Sequence, residues 1–568
     1  MLDLVIRGGL VVDGTGAPAR RADVGLSDGR IVALGAIDES ARRSIDADGR
    51  VVAPGFVDAH THYDAQLLWD PAATPSCFHG VTSVIGGNCG FTLAPLGSDD
   101  DIDYIRRMMA RVEGMPLAAL EAGITWNWRT FAEYLDRLDG HLAVNAGFLV
   151  GHSALRRAVL GDASGAPIDD RSLDAMRNLL DAALTAGGLG FSSSHNSVHT
   201  DGDALPVPSR SSERDELLAL SALVGGHPGT SLEYITSGCL SSLTDDEIAL
   251  MVDMTVAARR PLNWNVLTLN PSAPDHAEHQ LRAGSLAAEQ GGRIMALMMP
   301  GNGGLRLSFL NYCALFTLPG FRDVMERSVP ERMAALSDPD TRRMMEHRAR
   351  AETVGPMRGL TDWSVLRIGQ VFAPENEVYV DRFIGDIAQE QGRDPFDVLA
   401  EIVVADELRT HLWPERAPDS AAVWDVRARF LLDERVLVGG SDAGAHLDRM
   451  CGARYTTDLL ANGVRKFGAL TIEQAVRLLT DAPARLFGLR ERGRLTEGWW
   501  GDIVVFDPDT VAPEPIVEVA DLPGGCERLT AAAVGIDHVL VNGTEIVRGG
   551  VLTGAEPGTL MRSGRDTV

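Results

Sequence analysis

Hydrophobic positions follow two rhythms along this chain. At both ends they form short runs cut by glycine and turn residues. Near the start these are Leu4-Val5-Ile6-Arg7-Gly8-Gly9 and Ile31-Val32-Ala33-Leu34-Gly35. Near the finish they are Asp502-Ile503-Val504-Val505-Phe506-Asp507 and His538-Val539-Leu540-Val541-Asn542-Gly543. Short apolar runs bounded in this way predict strands. Two strand-rich ends around a long middle predict that the termini, residues 1–52 with 494–568, pair into one small β-domain.

The middle alternates strand-like and helix-like runs, the pattern of a parallel α/β sheet or barrel. The predicted strands are 51–62, 81–86, 143–152, 188–194, 229–235, 261–267, 294–299 and 436–440. Helical periodicity fills the gaps, for example over 170–186 and 245–258. This order predicts an α/β fold, a (β/α)8 TIM-like barrel over residues 53–493, whose chemistry belongs at the C-terminal strand ends. About 130 residues, 301–432, separate the last two strands, too many for a simple loop. They read as an insertion, either lying over the barrel mouth or forming a peripheral helical bulge with its own small core. Gly301-Asn302-Gly303-Gly304 is a hinge or a plain loop.

Composition narrows the function. The 568 residues carry a formal charge of −27, which repels nucleic acid and anionic lipid. No apolar run reaches membrane-spanning length, and the first residues lack the pattern of a signal peptide. Six cysteines without a CxxC pair fit a reducing, cytoplasmic setting. Lys466 is the only lysine, so any lysine-dependent chemistry would have to use it.

Three strand ends carry polar signals. His60-Thr61-His62 ends the first strand; if that strand runs through residue 62, both imidazoles share one face. Gly86-Gly87-Asn88-Cys89-Gly90 ends the second, and Gly439-Gly440-Ser441-Asp442-Ala443-Gly444-Ala445-His446 ends the last. Asp442 among small residues has an uncrowded carboxylate, or caps a helix. Imidazole and thiolate are zinc ligands. Their convergence at one barrel mouth points to a metal.

Val57 to Asp64, Gly80 to Val84, Gly87-Asn88-Cys89-Gly90, Ala94-Pro95-Leu96, Val150 to Arg156 and Gly440 to Gly444 resemble the D-aminoacylase (N-acyl-D-amino-acid deacylase) branch of the amidohydrolase superfamily. Ala475 to Thr480, Ala482-Pro483, Gly488 and Gly498 to Asp502 extend the likeness over most of the chain. The resemblance implies a metal-bearing barrel with a terminal β-sandwich. It implies metal ligation by His60, His62, Cys89 and Asp442, and agrees with the scarcity of lysine, since in this branch cysteine replaces a bridging carboxylated lysine. Two family histidines are missing: the fifth strand has Ser231-Leu232-Glu233-Tyr234-Ile235 and the sixth Asn263-Trp264-Asn265-Val266-Leu267. One zinc per chain is therefore expected, with the second position in doubt. Glu233 is a substitute ligand, a proton carrier or an ordinary salt-bridged glutamate, and Asn265 stands as a supporting residue.

The implied reaction is hydrolysis of a non-peptide amide C–N bond in a small molecule, an N-acyl-D-amino acid. Metal would lower the pKa of a water, Asp442 would act as general base and then acid, and the metal or His152 would polarise the carbonyl. His152 alternatively only bonds nearby backbone. Ser192 to His195 are pocket-lining candidates, and His446 either lines the pocket too or is exposed. The substrate carboxylate would need an arginine or histidine. Other amides, lactams, carbamates or esters suit the same scaffold, and a catalytically inactive ligand-binding relative is the non-enzymatic alternative.

Overall fold

In the computed structural model of the chain, which describes all residues except Ser272, Asn302, Gly303, Val354 and 416–418, the apolar run from Val51 onward is two strands. Val51–Pro54 pairs antiparallel with Ile503–Phe506. After Gly55 the chain turns into a parallel strand, β1 (Phe56–Asp58), which pairs with β2 (Val81–Gly86). The expected single strand through residue 62 is thus corrected: it divides at Pro54-Gly55, and regular pairing stops at Asp58. Glycine is required at 55, because a Cβ there would lie 2.2 Å from the Thr82 side chain. Asn302 and Gly303 of the expected hinge lie outside the described residues.

The parallel series continues through β3 (Asn145–Phe148, resumed at Val150–Gly151), β4 (Gly190–Ser194), β5 (Ser231–Ile235), β6 (Leu262–Asn265), β7 (Ile294–Met298) and β8 (Val436–Val438). β1, β2 and the first half of β3 form a three-stranded sheet; the second half of β3 begins a six-stranded sheet that ends at β8. Beyond the strand ends, Thr61 bridges Ala443 in parallel, and the His62 amide donates to the Ala443 carbonyl at 2.7 Å. The end of the series is thereby joined to its start.

Alternation sorts the side chains of these strands. Along β7, Ile294, Ala296 and Met298 pack outward with the helices, whereas Met295 and Leu297 join Val57, Ala59, Ile85, Leu149 and Leu437 in a separate inner cluster. On β4 to β6 the outward residues are again apolar (Phe191, Leu232, Tyr234, Leu262, Trp264). The alternate positions there are the polar Ser192, Glu233, Asn263 and Asn265, all buried.

The inner cluster is sealed on one side by Ala484, Leu486, Phe487 and Leu489, and by Met561 from the C-terminal tail. That tail is tied to the parallel strands: the Met561 amide donates to the Ala146 carbonyl at 2.7 Å, and the Thr567 hydroxyl to the Gly229 carbonyl at 2.6 Å. Strands from both termini share one nine-stranded sheet, in which Val51–Pro54 lies between Leu2–Val11 and Ile503–Phe506.

The excursion between β7 and β8 has its own core, including Leu307, Phe309, Trp363, Phe396 and Leu412. A short antiparallel pair, Leu366–Ile368 with Leu412–Pro414, braces it. The helix Ala421–Leu431, inside the stretch assigned to the insertion, instead packs on the main core through Trp424, Phe430 and Leu431. Among the described residues, no helix is long and apolar enough to cross a membrane. None of the six cysteines is paired with another.

Met561→Ala would open a cavity where the tail meets the inner cluster. Large-to-small changes of this kind cost about 2–5 kcal/mol, and the loss should register as a lower denaturant midpoint with an unchanged slope.

Candidate active site

The loops after β1, β2 and β8 bring His60, His62, Cys89 and Asp442 together. Thr61 anchors the first loop: its amide and hydroxyl both donate to the Ile85 carbonyl, at 3.0 and 2.8 Å. The flanking imidazoles then stand 5.3 Å apart, centre to centre. Asn88 ties the second loop to the first, its amide donating to the Thr61 and Ile85 carbonyls at 3.0 and 2.9 Å. The Ser441 hydroxyl donates to the His60 carbonyl at 3.2 Å and accepts from the Ala443 amide at 3.0 Å. Cys89, Asp442 and His446 have φ of +56°, +49° and +53°. Such left-handed backbone costs about 1–3 kcal/mol per non-glycine residue and persists only where its surroundings impose it.

His60 Nε2 lies 3.2 Å from Asp442 Oδ1 and 3.6 Å from Cys89 Sγ; His62 Nε2 lies 3.9 Å from the same Asp442 oxygen. The donor atoms of His60, His62 and Cys89 all fall within 4.8 Å of one another. Around a tetrahedral zinc with bonds of about 2.0–2.3 Å, donors stand about 3.3–3.8 Å apart. His60, His62 and Cys89 form the compact donor set here, and Asp442 stands beside the two imidazoles.

The electrostatics point the same way. Burial pushes the Cys89 thiol far up, and the carboxylates of Glu233, Glu113 and Asp442 push it further. Glu113 is raised well above its usual range by burial and then by Asp442. Burial pushes Glu233 up to about 7. Burial also opposes ionisation of Asp442, but the His60 hydrogen bond prevails and holds that carboxylate well below its ordinary range. His62 is lowered strongly, by burial and then by His60. Several acids buried together with so little compensating charge favour a bound cation.

A cavity of about 580 Å³ opens onto this cluster. Its floor includes His60, His62, Cys89 and Asp442; its walls include Asn265, Glu113, His199 and His446, with Leu305, Pro414 and Glu415 from the excursion. Among the described residues, no lysine or arginine lines it.

The other sequence candidates divide. Glu233 and Asn265 are at the centre: the Asn265 amide donates to Glu233 Oε1 at 2.5 Å, and the Cys89 amide to Oε2 at 2.8 Å. Both carboxylate oxygens are thus engaged where the fifth- and sixth-strand histidines of the resemblance would stand. Ser192 is behind the site; it accepts from the Gly90 amide at 3.0 Å and donates to the Gly87 carbonyl at 2.5 Å, holding the cysteine loop. His446 lines the cavity. Burial, with Arg449 beside it, pushes its pKa down to about 3.

His152 is corrected. It does not line the cavity but opens the helix His152–Leu160, fully buried. Its Nδ1 meets Ser193 Oγ at 2.8 Å and its Nε2 meets Glu216 Oε1 at 2.8 Å. Glu216 also accepts from Arg156 at 2.6 Å. Both ring nitrogens are committed to this network. His195 turns aside to Ser212 at 2.8 Å and Tyr234.

Two residues escaped the sequence reading. Glu113 follows the helix Asp100–Val112 and reaches 3.7 Å from His62 Nδ1 and 3.9 Å from His446 Nε2. His199 lies beyond β4 and binds Ser194 Oγ at 2.7 Å. Only their place in connections after helix or strand ends hinted at a role.

The amidohydrolase family pattern matches residues 43–547. The chain belongs to the amidohydrolase family. It is 28% identical to the D-aminoacylase of Alcaligenes xylosoxydans xylosoxydans, over 98% of this chain and 97% of that one. It is 30% identical to the N-acyl-D-glutamate deacylase of the same organism, over 96% and 93%. Its fold is similar to the crystal structure of an N-acyl-D-glutamate deacylase from Bordetella bronchiseptica in complex with zinc and a phosphonate inhibitor. The TM-score there is 0.64 at 27% identity, covering 99% of this chain and all of that one.

Glu216→Gln should leave the buried Arg156 guanidinium uncompensated. Breaking such a pair costs about 3–5 kcal/mol, measurable by equilibrium unfolding, with metal content unchanged because His152 stands outside the cavity.

Proposed function

We propose that this amidohydrolase is a zinc-dependent N-acyl-D-amino-acid deacylase. The observation that carries the reading is the convergence of His60, His62, Cys89 and Asp442 on one cavity at the ends of β1, β2 and β8. We read the parallel strands and their helices as a (β/α)8 barrel over 53–493, and the shared terminal sheet as a β-sandwich domain of 1–52 with 494–568. The names of the relatives support the substrate class, an N-acyl-D-amino acid. We assign the protein to the cytoplasm, acting on a small molecule without nucleic acid or membrane.

His60, His62, Cys89 and Asp442 would hold one zinc. Glu233 engages Asn265 and the Cys89 amide instead of leaving its oxygens open, which supports a single ion. When bound, the metal supplies Lewis acidity that makes a water acidic and polarises a carbonyl. Asp442, kept ionised beside His60, accepts a proton from the attacking water and returns it to the departing nitrogen, yielding a carboxylic acid and a free amine. Glu113 stands 3.7 Å from His62 Nδ1, outside hydrogen-bond distance, and places a second carboxylate beside that ring. With no described arginine in the lining, His199 is a candidate partner for the substrate carboxylate.

A screen of N-acyl D- and L-amino acids with the zinc-loaded protein tests the reading; turnover of the D series alone is expected, and turnover of neither rejects it. Asp442→Asn should lower kcat by roughly 10²–10⁴-fold, the usual worth of an acid–base group. Zinc at about 100 times its Kd should stabilise the wild-type fold by about 2.7 kcal/mol. Cys89→Ser should bind less zinc and lose most of that gain in a thermal-shift titration.

A further inference from the structure

His446 presents a hydrogen-bond geometry that decides its chemistry. Its Nδ1 receives two donors from Arg449, Nη2 at 3.0 Å and Nε at 3.3 Å. A guanidinium has only donors and stays protonated in proteins, so Nδ1 must offer its lone pair. The ring proton then belongs to Nε2. Arg449 is itself fixed: it is buried, its Nη1 donates to the Tyr312 carbonyl, and its own carbonyl accepts from the Arg306 amide at 2.7 Å. The backbone of His446, at φ +53°, is held by its amide hydrogen bond to the Glu113 carbonyl. Ring position and proton position are both imposed by the surroundings.

Among the described residues, the Nε2 edge has no hydrogen-bond partner. It stands 3.9 Å from Asp442 Oδ2 and 3.9 Å from Glu113 Oε2, beyond bonding distance to either, in a side chain that lines the cavity. A nitrogen carrying a proton cannot ligate a metal or accept a proton from water. It can donate to an oxygen that enters the cavity beside Asp442.

We infer that His446 is a neutral Nε2–H donor to the acyl oxygen of the bound substrate, set in that role by Arg449, and is neither a metal ligand nor a base. The identity of the oxygen rests on the deacylase reading; the state of the ring does not.

Two measurements test the inference. In long-range proton–nitrogen spectra of ¹⁵N-histidine-labelled protein, the His446 signals are assigned by their loss in His446→Gln. An unprotonated Nδ1 and a protonated Nε2 are expected in both metal-free and zinc-loaded protein, with a mixed pattern in Arg449→Met. A protonated Nδ1, or an Nε2 that shifts like a ligand on zinc loading, would overturn the assignment. In kinetics, His446→Ala should lower kcat on the order of 10²–10³-fold, the cost of one lost oxyanion donor, at unchanged zinc content. His446→Gln, whose amide can donate from a similar place, should recover part of it. A raised KM at unchanged kcat, or loss of zinc, rejects the acyl-oxygen role. If wild-type protein hydrolyses no N-acyl-D-amino acid, the deacylase reading and the acyl-oxygen role fall together, while the spectra still decide the ring.

Discussion

Negative charge confined away from water governs this molecule. Cys89, Glu113 and Glu233 are buried around Asp442, and burial makes each of the three resist ionising, whereas Asp442 is held ionised by His60. His60 relieves part of the strain through its bond to Asp442. A divalent cation would relieve the remainder, and with it the thiol could become a thiolate ligand. The placement of the loops and the closure of the strand series serve to hold these groups near one another against their repulsion.

The backbone provides the restraint. Cys89, Asp442 and His446 all occupy left-handed conformations, and each is secured by bonds from another element. Asn88 reaches back to the loop after β1, Glu233 on β5 accepts from the Cys89 amide, and the Glu113 carbonyl accepts from His446. Gly87 shows how close this packing is: a Cβ there would lie 2.2 Å from the Leu149 carbonyl oxygen, and its φ is +73°. Neighbouring strand ends therefore constrain each other, and the side chains around the cavity inherit that rigidity.

Much of this was readable in the chain itself. β4 to β8 fall inside the predicted strands, and the helices Asp170–Thr185 and Asp245–Ala258 open behind capping Asp169 and Thr244. The cluster of His60, His62, Cys89 and Asp442 was legible because each follows a strand end. Pro54-Gly55 itself permits a bend, but that Val51–Pro54 belongs to a different sheet was not legible, since its partner strand lies at the other end of the chain. Which of its two readings His152 takes was not legible, because β3 passes straight into a helix there. Glu113 carried no local signal; its importance comes from where its helix happens to end.

The tail that seals the inner cluster also bears on how the molecule comes together. Met561 and Thr567 bind Ala146 and Gly229, the second pair 338 residues apart. Contacts so distant along the chain cost loop-closure entropy before they repay it, and they form slowly. One end of the interior stays wet until this segment docks, however many of the parallel strands have already paired.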